Sequence, residues 1–488
     1  MTTKASTPKG MRDFSPPVMF RRNYIFSVVK SAFEKYGFSP IQTPAMENLE
    51  TLTGKYGDEG DRLIFKVLNS GDFLSKANCD ANSNSKDLTK QISDKALRYD
   101  LTVPFARYVV QNRNDITFPF KRYQMQNVWR ADRPQKGRFR EFFQCDADII
   151  GTQSLISEIE LVQLSDEVFT SLNIPNIEIC INNRKVLNGM VEIMGCPELF
   201  NNIVIVLDKL DRIGIDKVKE EMSSEGVSKE GILVLEKFLN SSDILELSAL
   251  LKQSEIGTQG VKELQFVSEN IKKLGLKTAQ LKFDITLARG IDYYTGCILE
   301  VKQNDVKIGS IAGGGRYDNL TSVFGLDDVS GVGISFGIDR IYMVMEELNC
   351  FPENIDQNTR VMFANFGEKE SVFCLGLLKQ LRENGISSEL YPTSVKMKKQ
   401  MNYADKKGVE FVVMIGEDEM NSEKITVKDM KLGNQEQISI SEFMAANMSS
   451  EIDSTERLVI LLDECKNIGI EIYPPSINQS KTLFSVDR

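Results

Sequence analysis

The sequence predicts a mixed α/β (α+β) protein: an antiparallel-sheet domain carrying a helical insertion, followed by a small α/β domain. Three observations predict it. From Leu97 to Gly151, apolar and charged residues alternate with few helix signals, the pattern of antiparallel strands. Roughly 184–278 is rich in Leu, Lys and Glu at helical spacing, and reads as an inserted helical module. After Pro352, strands alternate with helical stretches, which suggests a small α/β domain with a mixed sheet.

In order, Pro17 to Tyr36 reads as a helix, with Phe20, Tyr24, Val28 and Phe33 at roughly helical spacing and Gly37 as its stop. Phe38 to Thr43 follows as a short strand. Ser75 to Lys95 is a polar loop or short helix. Ser157 to Leu172 is an amphipathic helix and Ile177 to Ile181 a strand. Beyond the insertion, strands are expected at Leu281–Leu287 and Cys297–Val301, and a strand running into a helix at Gly333–Glu347. In the last domain, strands at 361–366, 387–390, 411–415 and 425–429 enclose helices at 370–384 and 396–407. Residues 450–488 form a separate tail, in which Leu458 to Cys465 is a possible short helix.

Composition narrows the chemistry. The 488 residues are 41% hydrophobic and 26% charged, the profile of a globular protein of several domains. With no apolar run long enough to span a membrane and a polar Met1–Gly10, the expectation is a cytoplasmic protein without membrane attachment. Eight scattered cysteines without a C-x-x-C pair argue for reduced thiols and against a zinc ribbon or other bound metal. The net charge of −10 confines any RNA contact to local patches. The chain contains no histidine, which excludes an imidazole base, a Ser-His-Asp triad and a His-ligated metal.

Four segments carry chemical signals. Arg130, Arg133, Lys136, Arg138 and Arg140 stand close together, followed by Phe142 and Phe143. They read either as a solvated basic hairpin or as a polyphosphate clamp, because guanidinium forks match phosphate oxygens and the rings offer a purine a stacking face. LARGIDYY (287–294) sets Arg289 beside a glycine and before Tyr293 and Tyr294. AGGGRYD (312–318) lets a backbone pass close to a ligand or another strand. GISFGIDR (333–340) places Arg340 early in a helix. Each of the last three is weak alone.

Taken together and in this order, the segments resemble the histidyl-tRNA synthetase family of class II aminoacyl-tRNA synthetases, from about residue 7 to 448. PKGMRDFSP (8–16) resembles that family's N-terminus and FEKYGFSPIQTP (33–44) resembles class II motif 1 at the dimer interface. LRYDLTVPFARY (97–108) resembles its amino-acid-site strand. WRADRPQKGRFREFFQCDADIIG (129–151) resembles motif 2 and GISFGIDRI motif 3. LARGIDYYTG and AGGGRYD resemble the two peptides peculiar to the histidine enzyme.

The resemblance implies a class II catalytic domain over 1–350, an anticodon-binding domain over 358–448, a homodimer, and histidine, ATP with Mg²⁺ and tRNA(His) as ligands. It implies that Asp100 and Thr102 hold the substrate's α-ammonium group and that Gln144 helps bind the amino acid. Arg130 would contact the α-phosphate of ATP and Arg138 the distal phosphates. Phe142 and Arg340 would sandwich adenine. Asp132 stands where motif 2 usually has Glu. Arg289 would face the α-phosphate, so that Arg289 and Arg130 are the catalytic pair. Asp148, Tyr293, Tyr294 and Tyr317 would line the histidine site, with Asp148 and Tyr294 as acceptor and donor for the imidazole; Asp148 pairing with a nearby arginine of the 130–140 cluster, and Tyr294 packing in the core, is the competing reading. Lysines 396, 398, 399, 406 and 407 would face RNA or solvent.

The lack of histidine suits that chemistry. Activation is attack by a carboxylate already ionised at neutral pH, which needs positioning and charge neutralisation rather than a general base. Two rivals share parts of the pattern: a histidine-sensing regulatory subunit of ATP phosphoribosyltransferase, and a purely RNA-binding protein. The intact arginines argue against both. The tail departs from the family; residues 455–487 resemble a short fragment of the bacterial DNA polymerase III α subunit.

Overall fold

The computed structural model describes residues 4–439 and Glu442, apart from residues 76, 79–83, 242, 289–292, 354, 356–358 and 423. The chain divides into two compact units, Met1–Glu353 and Asn354–Arg488. The possible helix at 458–465 lies outside the described residues.

The first unit opens with helix α1 (Pro16–Lys35), started by prolines whose missing N–H groups cost nothing in a first turn. Its buried side is Arg22, Ile25, Val29, Ala32 and Phe33. The expected stripe through Phe20, Tyr24 and Val28 is therefore offset: those three are only half-buried. Strand β1 is just Ser39–Pro40. A small sheet then joins Met46–Asn48, Lys95–Leu97 and Lys66–Val67, and Ser85–Ile92 is a short helix.

The stretch expected to be all strand contains helix α2 (Thr102–Gln111). Its Val103, Pro104, Phe105, Ala106 and Val109 are buried. A helix rich in apolar and β-branched residues hides its period, and burial outweighs its modest helix propensity. Strands β2 (Phe120–Trp129) and β3 (Glu141–Ile150) then form the expected antiparallel hairpin around the basic segment.

Helix α3 (Ile156–Ser171) and strand β4 (Ile177–Asn183) follow. Helices run from Arg184–Ile193 to Glu255–Leu274 through the predicted insertion, and Asp243 and Ser254 cap two of them with side-chain acceptors. Strands β5 (Gln280–Phe283), β6 (Cys297–Gln303), β7 (Ala312–Tyr317) and β8 (Gly331–Gly337) complete the sheet, and α4 (Ile338–Glu347) closes the unit. The eight-stranded order is β1-β2-β3-β8-β7-β6-β4-β5, antiparallel except for the β1–β2 and β4–β5 pairs.

Period-two alternation divides the centre of this sheet. Cys145, Ala147 and Ile149 of β3, with Val332, Ile334 and Phe336 of β8, join the main apolar core, which also takes in Ile25, Val29 and Phe33 of α1. Gln144, Asp146 and Asp148 alternate with them along β3.

The second unit has strands β9 (Val361–Phe363), β10 (Ser388–Leu390), β11 (Phe411–Met414), β12 (Lys424–Asp429) and β13 (Gln435–Ser439), ordered β10-β9-β11-β12-β13. The β9 pairings are parallel and the β11–β12–β13 pairings antiparallel, so the sheet is mixed. Helices α5 (Glu368–Glu383) and α6 (Met397–Lys407) belong to this unit. Lys396, Lys398, Lys399 and Lys406 are exposed, whereas Lys407 is half-buried and paired with Glu389.

Candidate active site

Strand register builds the site. Across from Gln144, Asp146 and Asp148 stand Gln126, Gln124 and Arg122 of β2 on one side and Gly337, Ser335 and Gly333 of β8 on the other. The glycines make room: a Cβ on Gly333 would lie 2.0 Å from Asp148 Oδ1, and one on Gly314 would lie 2.0 Å from the Gly333 carbonyl oxygen. The space left is an inner cavity of about 160 Å³ lined by Asp100, Thr102, Arg130, Gln144, Asp146, Asp148, Tyr293, Tyr294, Tyr317 and the glycine-rich strands.

Its carboxylates differ in their partners. Asp148 pairs with fully buried Arg122 at 2.8 Å and accepts from the Tyr317 hydroxyl at 2.6 Å. The pairing held open for Asp148 is thus present, although its arginine lies on β2 rather than in the 130–140 cluster. Asp100 accepts from the Tyr56 hydroxyl at 2.9 Å, the Val103 amide at 3.1 Å and the Tyr293 hydroxyl at 3.4 Å. Asp146, 2% exposed, keeps Oδ1 without a hydrogen-bond donor. Burial raises its carboxyl to about 7, with the Arg122 charge pulling down and the Asp148 charge adding to the rise. Burial likewise raises Asp100 and Asp148 against their donors, and raises the phenols of Tyr56, Tyr293 and Tyr317, which keeps these three hydroxyls protonated.

A larger cavity of about 1080 Å³ adjoins, and Arg130, Gln144, Gly313 and Ser335 line both. Arg130 is held at the junction: its Nε donates to the Tyr99 carbonyl at 3.1 Å, and its guanidinium lies 4.3 Å from the Tyr99 ring centre and 5.2 Å from that of Phe142. Asp132, Arg138, Phe142 and Arg340 line the larger cavity. Arg340 is fixed by the carbonyls of Gly137 at 3.0 Å and Ser310 at 2.6 Å. The basic cluster divides by task. Arg130 and Arg138 face the cavity, Arg140 donates to the Asp132 carbonyl at 3.1 Å, and Lys136 pairs with Glu347 at 3.2 Å. Arg289 lies outside the described residues, but Ala288 before it lines the larger cavity.

The N-terminal segment straps the β2–β3 loop. The Gly10 carbonyl accepts from the Arg140 amide at 2.9 Å, and the Arg12 guanidinium stacks 3.2 Å from the Phe139 ring centre. Arg12 also bonds Asp339, which binds buried Arg22 at 2.7 Å and accepts from the Phe143 amide at 3.2 Å. The sequence reading missed Arg122, Asp146, Ser335, Tyr56 and Asp339. Asp146 had a signal: it shares the two-residue period of Gln144 and Asp148. The others are brought in by cross-strand register or distant packing.

Known proteins match this arrangement along most of the chain. Residues 71–341 match the family described as histidyl-tRNA synthetase, and residues 360–447 match the anticodon binding domain. A histidine–tRNA ligase of Christiangramia forsetii is 55% identical over 454 residues, covering 91% of this chain and 100% of the relative. That of Flavobacterium johnsoniae is 51% identical over 461 residues, covering 89% and 97%. The crystal structure of histidyl-tRNA synthetase from Nostoc sp. PCC 7120 superposes with a TM-score of 0.76 at 30% identity, covering 93% of this chain and 99% of that one. A Bacillus halodurans structure described as an ATP phosphoribosyltransferase regulatory subunit/histidyl-tRNA synthetase shares the fold, with a TM-score of 0.67 at 22% identity over 83% of this chain and 97% of its own. The family match over more than half of the chain and the relative 55% identical along its whole length place the chain, with its carboxylate pocket and arginine-lined cavity, in the histidyl-tRNA synthetase family.

Proposed function

We propose that the inner cavity takes histidine and the larger one ATP, and that the two substrates meet at Arg130. The chain is a histidine–tRNA ligase: it activates histidine with ATP to histidyl-adenylate and pyrophosphate, then transfers histidine to tRNA(His). The observation that carries the site reading is the junction, where Arg130, Gln144, Gly313 and Ser335 line both cavities.

In this reading Asp100 and Thr102 receive the α-ammonium group, which is a cation suited to a buried carboxylate. Gln144 sits beside the amino-acid carboxylate at the junction. Tyr293, Tyr294 and Tyr317 enclose the side chain with Asp148 at the far end. Phe142 and Arg340 hold adenine, Arg138 the distal phosphates, and Asp132 the rim. Arg130, and Arg289 by resemblance, neutralise charge on the α-phosphate as the carboxylate attacks. The carboxylate oxygen bonds to phosphorus as the bond to pyrophosphate breaks, and no proton has to move. Among the described residues no cluster of three His, Cys, Asp or Glu side chains could cage a cation. The arginines that line the larger cavity, with Asp132 beside them, suit a nucleotide that carries Mg²⁺ on its phosphates, where the ion would add charge neutralisation.

We also read the enzyme as a homodimer of the cytoplasm. Exposed Met46, Leu68, Phe73 and Leu74 lie on and just after the small sheet, following the motif 1 segment, and suit a covered face. No helix among the described residues is long and apolar enough to cross a membrane.

Pyrophosphate exchange with each of the twenty amino acids tests the reading. Exchange with histidine alone is expected. Histidine binding without exchange would instead indicate a regulatory relative.

A further inference from the structure

We infer that Asp146, rather than Asp148 alone, supplies the acceptor that recognises the ring N–H of the substrate histidine. The inference rests on the histidine reading of the inner cavity and adds to it the group that sets side-chain specificity.

The argument begins with what each acceptor already holds. Asp148 is compensated at both oxygens: Oδ1 accepts from the Tyr317 hydroxyl, and Oδ2, although it makes no hydrogen bond, is ion-paired with Arg122 at 2.8 Å. Asp100 takes three donors from the protein, and the capacity it has left is the one assigned to the α-ammonium group. Asp146 stands between Gln124 and Ser335 in the register. The Gln124 amide nitrogen donates elsewhere, to Thr43 Oγ1 at 2.8 Å and Gln126 Oε1 at 2.5 Å. Ser335 Oγ accepts from Gln144 at 2.7 Å, which directs the serine's own proton to Asp146. One Asp146 oxygen is then satisfied. Oδ1 is left buried with no donor, on a side chain that lines the inner cavity.

A buried carboxylate oxygen without a donor is costly, and native structures rarely keep one unless something arrives to fill it. The group that fills it is an N–H or O–H entering the inner cavity, since Asp146 lines that cavity and not the larger one that adjoins it. Neutral imidazole carries one such N–H and imidazolium two. Gln144 also has an unpartnered oxygen, but it lines both cavities and so sits where carboxylate and phosphate meet, not where the side chain ends.

The test uses the full chain and compares histidine with 3-(thiazol-4-yl)alanine, a ring of similar shape with no N–H. The readout is the ratio of kcat/KM for the two in pyrophosphate exchange. The unaltered chain should favour histidine strongly. In Asp146→Ala that preference should fall about 10–100-fold, the loss of one charge-assisted hydrogen bond. Asp146→Asn, which keeps a carbonyl oxygen, should fall less, and the KM for ATP should hold in both. Asp148→Asn should weaken both amino acids together, by disturbing Tyr317 and Arg122, and leave the ratio high. An unchanged ratio in Asp146→Ala, or a collapse confined to Asp148→Asn, overturns the inference while leaving the enzyme's identity intact. An unaltered chain that exchanges with no histidine would overturn the underlying reading instead. If the Asp146 variants do not fold, a histidine-bound crystal structure of the unaltered chain decides. A ring nitrogen within hydrogen-bond distance of Asp146 supports the inference, and a ring seated on Asp148 beyond reach of Asp146 refutes it.

Discussion

At the scale of single residues, this chain places several buried carboxylates around one cavity and compensates them unequally. Asp146 faces Arg122 and Gln124 of β2, Ser335 of β8 and Asp100, and has Asp148 beside it on its own strand. Its carboxyl is raised to about 7 in the fold, well above its ordinary value, so the folded state holds this proton where the unfolded chain releases it. The corresponding stability is complete below the unfolded value and is lost as pH rises through about 7. The thermal midpoint of the ligand-free chain, relative to that of Asp146→Asn, should therefore fall between about pH 5 and about pH 8. Calorimetry across that range checks it; a relative midpoint that climbs with pH would show that Asp146 is stabilised as a carboxylate. The sequence made Gln144 and Asp148 legible through their motif. It could not show which carboxylate was already paired, because Arg122, Tyr317 and Ser335 come from other strands.

At the scale of elements, Asp339 at the start of α4 ties together three parts of the chain: the N-terminal strap through Arg12, α1 through Arg22, and β3 through the Phe143 amide. Arg22 is only 4% exposed, so removing its partner leaves a buried charge uncompensated. Asp339→Ala should cost about 3–5 kcal/mol of stability, measurable by denaturant titration. A loss under about 1 kcal/mol would mean that water replaces the carboxylate. In α6 the structure separates lysines that the sequence could not. Lys407 is paired with Glu389, whereas Lys398 and Lys399 are exposed. Reversing both, Lys398→Glu with Lys399→Glu, should reduce tRNA charging and weaken its salt dependence while leaving pyrophosphate exchange unaltered. Equal loss in the two assays would remove this helix from RNA binding.

At the scale of the whole molecule, the relatives are matched along nearly their full length while about a tenth of this chain stays unmatched. The anticodon-domain match ends at residue 447. Truncation after Ser449 should therefore leave charging within about twofold, the near-neutral effect expected for a terminal segment beyond the matched anticodon domain. A large fall in an otherwise folded variant would show that the tail takes part. The sequence by itself determined the family, the mixed fold, the helical insertion and most of the residues that line the inner cavity, because these are written in local period and in contiguous motifs. It misassigned α2, whose burial overrides its local pattern. Only the tertiary structure decided which acidic groups are satisfied and which are left open. Hydrogen-bond partnership in a sheet is set by register between strands far apart in sequence, and no local pattern records it.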